Sequence, residues 1–314
     1  MKTDVISPMP RSWWRVGLAL SSLIALPGCI ASSPRTAAAG TGSKVIQVVA
    51  AENFWGSIAA QLGGRQVQVT NLIDGPDADP HDYEPTTADA RAIASADLVV
   101  INGVGYDVWA SKLVANKAAN RIDLTVGQLV GVAAGGNPHR WYNPDDVQKV
   151  IEAIAADYKK IDPADAAYFD VQKGAFETTA LADYKGVIAE IKARYAGTPV
   201  GASESIFAMI APSLGLDVLT PTGFLTAISE GTDPTAADKS AIDAQIKDRK
   251  IKVFVYNTQN ATPDIQAQIR AASAAGIPVT TITETMTPAT ASWEQWQTAQ
   301  LTALRDVLAK ASGR

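Results

Sequence analysis

Val45-Ile46-Gln47-Val48-Val49-Ala50, followed by Phe54 to Leu62, Gly63-Gly64 and Val67 to Ile73, carries three periodicities in succession. The first run is β-rich and apolar. The second repeats its apolar residues at helical spacing and stops at a glycine pair, and the third alternates. Strand, helix, strand over fewer than 30 residues is the opening of a parallel α/β unit.

The same grammar continues in both directions from this unit. Thr87 is placed to cap a helix through Ala96, Leu98-Val99-Val100-Ile101 reads as a buried strand, and Tyr106 to Ala115 as a further helix. In the second half Val200, Leu216 to Leu219, Val253-Phe254-Val255 and Val279-Thr280-Thr281-Ile282 read as strands. Helices near Ile206, over Ala236 to Lys247 and over Pro263 to Ala275 interleave with them. Between the halves, Pro163 suits a first helical turn, and Tyr168, Phe169, Phe176, Ala180, Tyr184, Val187, Ile188, Ile191 and Tyr195 recur on one helical face. The expected fold class is therefore α/β: two similar lobes, 44–162 and 196–314, each a mainly parallel sheet flanked by helices. One long helix, 163–195, joins them, about 50 Å from end to end at 1.5 Å per residue. A helical joint of that kind predicts a stiff molecule with small motions, softened locally by Gly174 and Gly186.

The N-terminal region differs in kind. Lys2, Arg11 and Arg15 precede the apolar run Val16 to Leu26, which is short for a bilayer span and reads as a signal peptide over residues 1–28. Leu26-Pro27-Gly28-Cys29 resembles a bacterial lipobox, with Pro27 in place of the usual small residue, so Cys29 is the expected lipidation site. Residues 29–43, rich in Ala, Ser, Thr, Gly and Pro, would then be a flexible tether. Cys29 is the one cysteine, which excludes an internal disulfide and a thiolate metal site in the folded body. A net charge of −5, a pI of about 5.1 and the lack of a basic run argue against nucleic acid as a partner.

The chain has two histidines, and both sit in proline-bracketed loops: Asp79-Pro80-His81-Asp82-Tyr83-Glu84-Pro85 and Asn137-Pro138-His139-Arg140-Trp141-Tyr142-Asn143-Pro144. Proline at both ends stiffens each loop, so an imidazole presented there loses little entropy when a ligand orders it.

With these motifs, His-x-Tyr-Glu-Pro and Pro-His-x-Trp, the sequence resembles the metal-specific solute-binding lipoproteins of ABC importers, the group with two lobes joined by a rigid helix. The resemblance runs from Glu52-Asn53-Phe54-Trp55 to the Trp-containing C-terminal helix. It implies four metal ligands: His81 and His139 from the first lobe, Glu204 after the first strand of the second, and Glu284 at the end of a later strand, where the family more often has Asp. Asp79, Asp82 and Asn143 are candidates to orient the imidazoles. The implied cargo is one divalent metal ion. A nitrogen- and oxygen-only shell excludes copper(I), and among Mn²⁺, Fe²⁺ and Zn²⁺ the carboxylate content, Glu rather than His at 204, and the lack of a His-rich insertion between Ile122 and His139 favour Mn²⁺ over Zn²⁺. The implied partners are a separate ABC permease and ATPase, with the membrane reached through the lipid anchor. The expected state is a monomer on the outer face of the cytoplasmic membrane or in the periplasm.

Two other classes compete. An exported zinc metallohydrolase would use His81 and His139 as ligands and Asp82 or Glu84 as general base, but four ligands from two lobes leave no position for water, and neither a His-Glu-x-x-His helix nor a Gly-x-Ser-x-Gly elbow is present. No enzyme and no catalytic residue is expected. A surface adhesin could share the fold with a purely structural metal. Trp293 and Trp296 in the last helix read as packing residues.

Overall fold

The computed structural model describes residues 44–75, 83–116 and 118–313, so Cys29, the region around it, and His81 with Asp79 and Asp82 lie outside the described residues. Two four-stranded sheets form, each wholly parallel. The first has the order β2-β1-β3-β4, with β1 Ile46–Glu52, β2 Val67–Ile73, β3 Leu98–Ile101 and β4 Ile122–Thr125. The second has the order β6-β5-β7-β8, with β5 Pro199–Ala202, β6 Asp217–Val218, β7 Val253–Asn257 and β8 Val279–Ile282. Central parallel strands are covered by helices on both faces, which is why Leu98-Val99-Val100-Ile101 is apolar at every position and buried throughout.

Twelve α-helices accompany the strands among the described residues: α1 Asn53–Gly63, α2 Thr87–Ser95, α3 Val108–Val114, α4 Val126–Val130, α5 Pro144–Ile161, α6 Ala166–Ala175, α7 Ala182–Tyr195, α8 Ser205–Leu214, α9 Thr222–Ser229, α10 Ala236–Lys247, α11 Pro263–Ala274 and α12 Trp293–Ala311. In each sheet the chain leaves the first strand toward one edge and returns on its other side, so a crevice opens between β1 and β3, and likewise between β5 and β7, at the strands' carboxyl ends.

Local chemistry moves two helix starts from their expected places. The cap of α2 is Thr86, not Thr87: its hydroxyl accepts from the backbone N–H of Ala88 and Asp89, and Thr86 N–H donates in return to the Asp89 carboxylate. Helix α3 starts at Val108 rather than Tyr106, because Gly103, Val104 and Gly105 all have positive φ (71°, 59° and 85°) and hold the preceding residues in a turn.

Residues 163–195 are helical almost throughout but not uniformly α. A single 3₁₀ turn, Pro163–Asp165, leads into α6, and a π segment, Phe176–Ala180, precedes α7. The buried face runs Phe169, Phe176, Leu181, Tyr184, Val187, Ile191, Tyr195. At about 100° per residue, five residues from Phe176 to Leu181 would swing the stripe well off the core. The wider π turn, closed by Leu181 N–H donating to Phe176 O at 2.9 Å, keeps Leu181 in line with Phe176, so Leu181 takes the place in the core that helical spacing assigns to Ala180.

This face unites the lobes. One continuous core runs from Ile46 and Val48 of β1, through the linker residues, to Val253, Val255 and Ile282 of the second sheet and Trp293, Trp296, Leu301, Leu304 and Leu308 of α12. Trp293 stacks edge-on against Tyr184 at 5.0 Å. Polar ties accompany the contact: Trp293 N–H donates to Ser57 Oγ (2.9 Å), Gln61 Nε2 to Glu294 Oε2 (2.9 Å) and Tyr142 OH to Thr283 O (2.6 Å). No helix among the described residues is long and apolar enough to cross a membrane.

Because the two sheets share a core, thermal unfolding of the chain from Ser43 onward is expected as a single transition. Ile191→Ala, at a fully buried linker position, should lower its stability by about 2–5 kcal/mol. Calorimetry checks both, and two separated transitions would contradict the shared core.

Candidate metal centre

The carboxyl end of β3 holds the loop that carries His139. Asn102, directly after β3 and fully buried, accepts from Trp55 Nε1 (3.2 Å) and donates through Nδ2 to Pro138 O (2.9 Å). The His139 ring is itself buried and meets Trp141 and Tyr106 edge-on, at 5.3 and 6.3 Å.

The tautomer of His139 follows from its neighbours. Asn137 Nδ2 lies 2.8 Å from Ser205 O, and a carbonyl can only accept, so the NH₂ of Asn137 faces Ser205 and its oxygen faces His139. That oxygen accepts from His139 N (3.1 Å) and stands 2.8 Å from Nδ1, with Ser205 Oγ 3.3 Å away. Nδ1 therefore carries the proton, and Nε2 presents its lone pair.

Nε2 points across the lobe boundary to Glu284, 3.9 Å from Oε1. Two ligands each about 2.1 Å from a common ion stand roughly 3–3.5 Å apart, so this pair needs only a small closure to share one. Glu284 lies two residues beyond β8. Its backbone N–H and that of Thr285 donate to Gln259 Oε1 (2.6 and 2.9 Å), and its Oε1 accepts from Tyr106 OH at 3.0 Å. Beside the pair is a cleft of about 610 Å³ lined by Val104, Gly105, Asn137, Ser205, Asn260 and Glu284 among others.

Glu204 is the residue before α8, at the carboxyl end of β5, and is almost wholly buried. Its carboxylate is held by two amides, Asn257 Nδ2 to Oε2 at 2.8 Å and Asn260 Nδ2 to Oε1. Burial and the Glu284 carboxylate push its pKa up to about 7, against the two amide bonds. Among the described residues no three His, Cys, Asp or Glu side chains gather into a metal-holding group. The structure thus brings His139 and Glu284 together, with Glu204 near enough for its charge to feel Glu284, while His81 lies outside the described residues. Among the described residues Asn143 does not bond the His139 ring: its side chain accepts from the backbone N–H of Asp145 and Asp146 and caps α5. The residues that do orient the site, Asn102, Tyr106, Asn137, Ser205, Asn257 and Asn260, escape a reading for metal ligands. Their one shared signal is a place at, or just beyond, strand ends and in the His139 loop.

Paired parallel-sheet lobes whose strand ends meet at a buried imidazole and carboxylates define a two-lobed binding protein. The chain belongs to the ZnuA family, described as zinc-uptake complex component A, periplasmic, which it matches over residues 48–307. It is similar to the manganese-binding lipoprotein MntA of Halalkalibacterium halodurans, 29% identical over 146 residues, covering 45% of this chain and 47% of that one. It is also similar to the iron-binding protein YfeA of Yersinia pestis, 29% identical over 163 residues, covering 49% and 50%. The chain spans about half the length of the curated relatives it matches. The fold is that of the periplasmic zinc binding protein TroA from Treponema pallidum, with a TM-score of 0.66 at 20% identity over 86% of this chain and all of that one. A manganese-bound variant of a periplasmic metal binding protein from candidatus Liberibacter asiaticus superimposes with a TM-score of 0.71 at 20% identity, covering 83% and 98%.

Beneath the His139 loop lies a second carboxyl pair. Glu52 ends β1, is buried, and neither of its carboxyl oxygens receives a donor among the described residues; it faces Asp107. Two ionised carboxylates cannot share a dry site, so the pair holds one proton. Burial and the Asp107 charge keep Glu52 protonated well above the usual carboxylate range. Burial lifts Asp107 to about 6 against the backbone N–H bonds it accepts from Gly103 (2.7 Å) and Asn102 (2.6 Å). Since the folded state binds more protons than the unfolded chain above pH 4.5, these groups make stability fall as pH rises through 6. Glu52→Gln, neutral at every pH and able to donate to Asp107, should flatten that fall and be more stable than the parent at pH 8. Urea titrations at pH 5 and 8 check this, and an unchanged pH slope would refute the shared proton.

Proposed function

We propose that this protein is an extracytoplasmic receptor that captures one divalent transition-metal ion between its lobes and delivers it to an ABC importer. The observation that carries the reading is the His139–Glu284 pair: a buried imidazole with its Nδ1 proton engaged and its Nε2 lone pair 3.9 Å from a carboxylate of the other lobe. His139, Glu284, Glu204 and, from the first lobe's other proline-bracketed loop, His81 are the ligands. Each oxygen of Glu204 keeps a lone pair beyond its amide bond, so those bonds are compatible with a metal partner. Two imidazoles and two carboxylates neutralise an M²⁺ ion and, being nitrogen and oxygen donors alone, suit Mn²⁺, Fe²⁺ or Zn²⁺. Relatives and structural neighbours carry manganese, iron and zinc in their names. We assign Mn²⁺ ahead of Zn²⁺ on the carboxylate share of the shell and the lack of a His-rich insertion before His139.

In this reading residues 1–28 are a signal peptide, Cys29 carries the lipid, and 29–43 tether the body to the membrane. Residues 44–162 and 196–314 are the metal-binding lobes on either side of the 163–195 linker. The protein acts as a monomer, binds rather than catalyses, and depends on a separate permease and ATPase for transport.

Chelator-stripped protein is expected to take up one ion per chain, and an ion at 100 times its Kd should stabilise the fold by about 2.7 kcal/mol. His139→Ala and Glu284→Ala should each abolish tight binding while circular dichroism stays unchanged. Calorimetric titration with Mn²⁺, Fe²⁺ and Zn²⁺ measures this, and retained affinity in both variants would sink the ligand assignment.

A further inference from the structure

The turn between β3 and α3 is the most constrained backbone near the cleft. Val104 has φ 59°, a conformation that β-branched residues rarely adopt, and it sits between two glycines that are also left-handed. Such strain persists only where the surroundings over-determine it, and it gathers where a side chain must be delivered to one place. Here the surroundings do so. Asp107 binds the backbone N–H of Asn102 and Gly103, Tyr106 N–H donates to Gly103 O (3.0 Å), and Gly127 N–H donates to Asn102 O (2.9 Å). Val104 packs so closely over Gly127 that a Cβ there would lie 2.5 Å from its Cγ2.

What the turn delivers is Tyr106. Its ring is fully buried, 4.9 Å from Trp141 and 6.4 Å from Phe54, and its hydroxyl crosses the lobe boundary to donate to Glu284 Oε1, the same oxygen that faces His139 Nε2. We infer that Tyr106 is a positioning residue that sets cargo selectivity by fixing the Glu284 carboxylate opposite His139. This rests on the receptor function proposed above.

The argument is one of preorganisation. Glutamate has one more rotatable bond than aspartate, and the Glu284 side chain is 18% exposed, so without an anchor its carboxylate would sample several orientations. Tyr106 OH restricts that freedom before the ion arrives, through one hydrogen bond to Oε1. A weakly binding ion profits most. Zn²⁺ forms strong enough bonds with nitrogen and oxygen donors to draw a mobile carboxylate into place, whereas Mn²⁺, lowest in the divalent series, depends on ligands already in position. Tyr106 therefore raises Mn²⁺ affinity more than Zn²⁺ affinity.

The test is competition titration of the full chain with Mn²⁺ and Zn²⁺ for the parent, Tyr106→Phe, Tyr142→Phe and His139→Ala. Tyr106→Phe keeps the ring and its packing. Tyr142→Phe removes a comparable lobe-to-lobe hydrogen bond, to Thr283 O at 2.6 Å, without touching the Glu284 carboxylate. The expected result is that Tyr106→Phe binds one ion with Mn²⁺ affinity reduced about 10–100-fold and Zn²⁺ affinity reduced less, so that the Mn²⁺-to-Zn²⁺ ratio falls. Tyr142→Phe should leave that ratio in place. If Tyr106→Phe keeps both affinities, or lowers both by the same factor, while His139→Ala abolishes binding, the role of Tyr106 is overturned and the receptor stands. A parent chain that binds neither ion overturns both.

Discussion

The geometry of the candidate metal centre depends on one hydrophobic core that both lobes share. His139 and Glu284 belong to different sheets, so the 3.9 Å between them is only as well defined as the relation between those sheets. That relation is set by the buried face of residues 169–195 and by α12, whose Trp293 and Trp296 return from the second lobe into the common core. Dense packing of this kind is bistable rather than continuously deformable, so lobe motion is expected to be small and discrete. The cross-lobe hydrogen bonds from Tyr106, Asn137 and Tyr142 refine the approach but do not create it.

Within that frame the two lobes use the same topological position differently. Glu52 ends the first strand of its sheet and Glu204 lies two residues beyond the first strand of the other, each directly before the helix that follows; Asn102 comes just after the third strand of the first sheet and Asn257 ends that of the second. In the first lobe Glu52 turns onto Asp107 and its shared proton becomes part of the support for a strained turn. In the second lobe two amides hold Glu204 as an acceptor. Both carboxyls are raised by burial and by a neighbouring carboxylate, Asp107 for Glu52 and Glu284 for Glu204. A proton relieves the first repulsion, and a divalent cation at the lobe boundary would relieve the second.

Asn137 shows how a single amide can do two jobs. Its NH₂ reaches the carbonyl of Ser205 in the second lobe while its oxygen fixes the proton on His139 Nδ1. The orientation of the imidazole and the closeness of the lobes are therefore expressed through the same side chain.

Much of this was legible in the sequence, and for identifiable reasons. The parallel α/β class, the paired lobes and the helical joint follow from periodicity, because each strand and helix must bury an apolar face whatever its neighbours are. His139 was conspicuous as one of two histidines in proline-bracketed loops, and Glu204 and Glu284 entered through resemblance and strand-end position. Other features depended on contacts between residues far apart in the chain. Short β4 and helix α9 carry weak local signals and gain their stability from packing. The π turn that brings Leu181 into line exists because the core demands it. The Asn143 cap of α5 is the exception, a local pairing with the backbone N–H groups of Asp145 and Asp146. The proton on His139, the anchoring of Glu284 by Tyr106 and the sharing of a proton between Glu52 and Asp107 were decided by tertiary structure alone. Each depends on groups that sequence proximity does not bring together: Ser205 O turns the Asn137 amide that meets His139, Tyr106 reaches Glu284, and Glu52 faces Asp107. Only the folded core sets the distances on which such pairing energies depend.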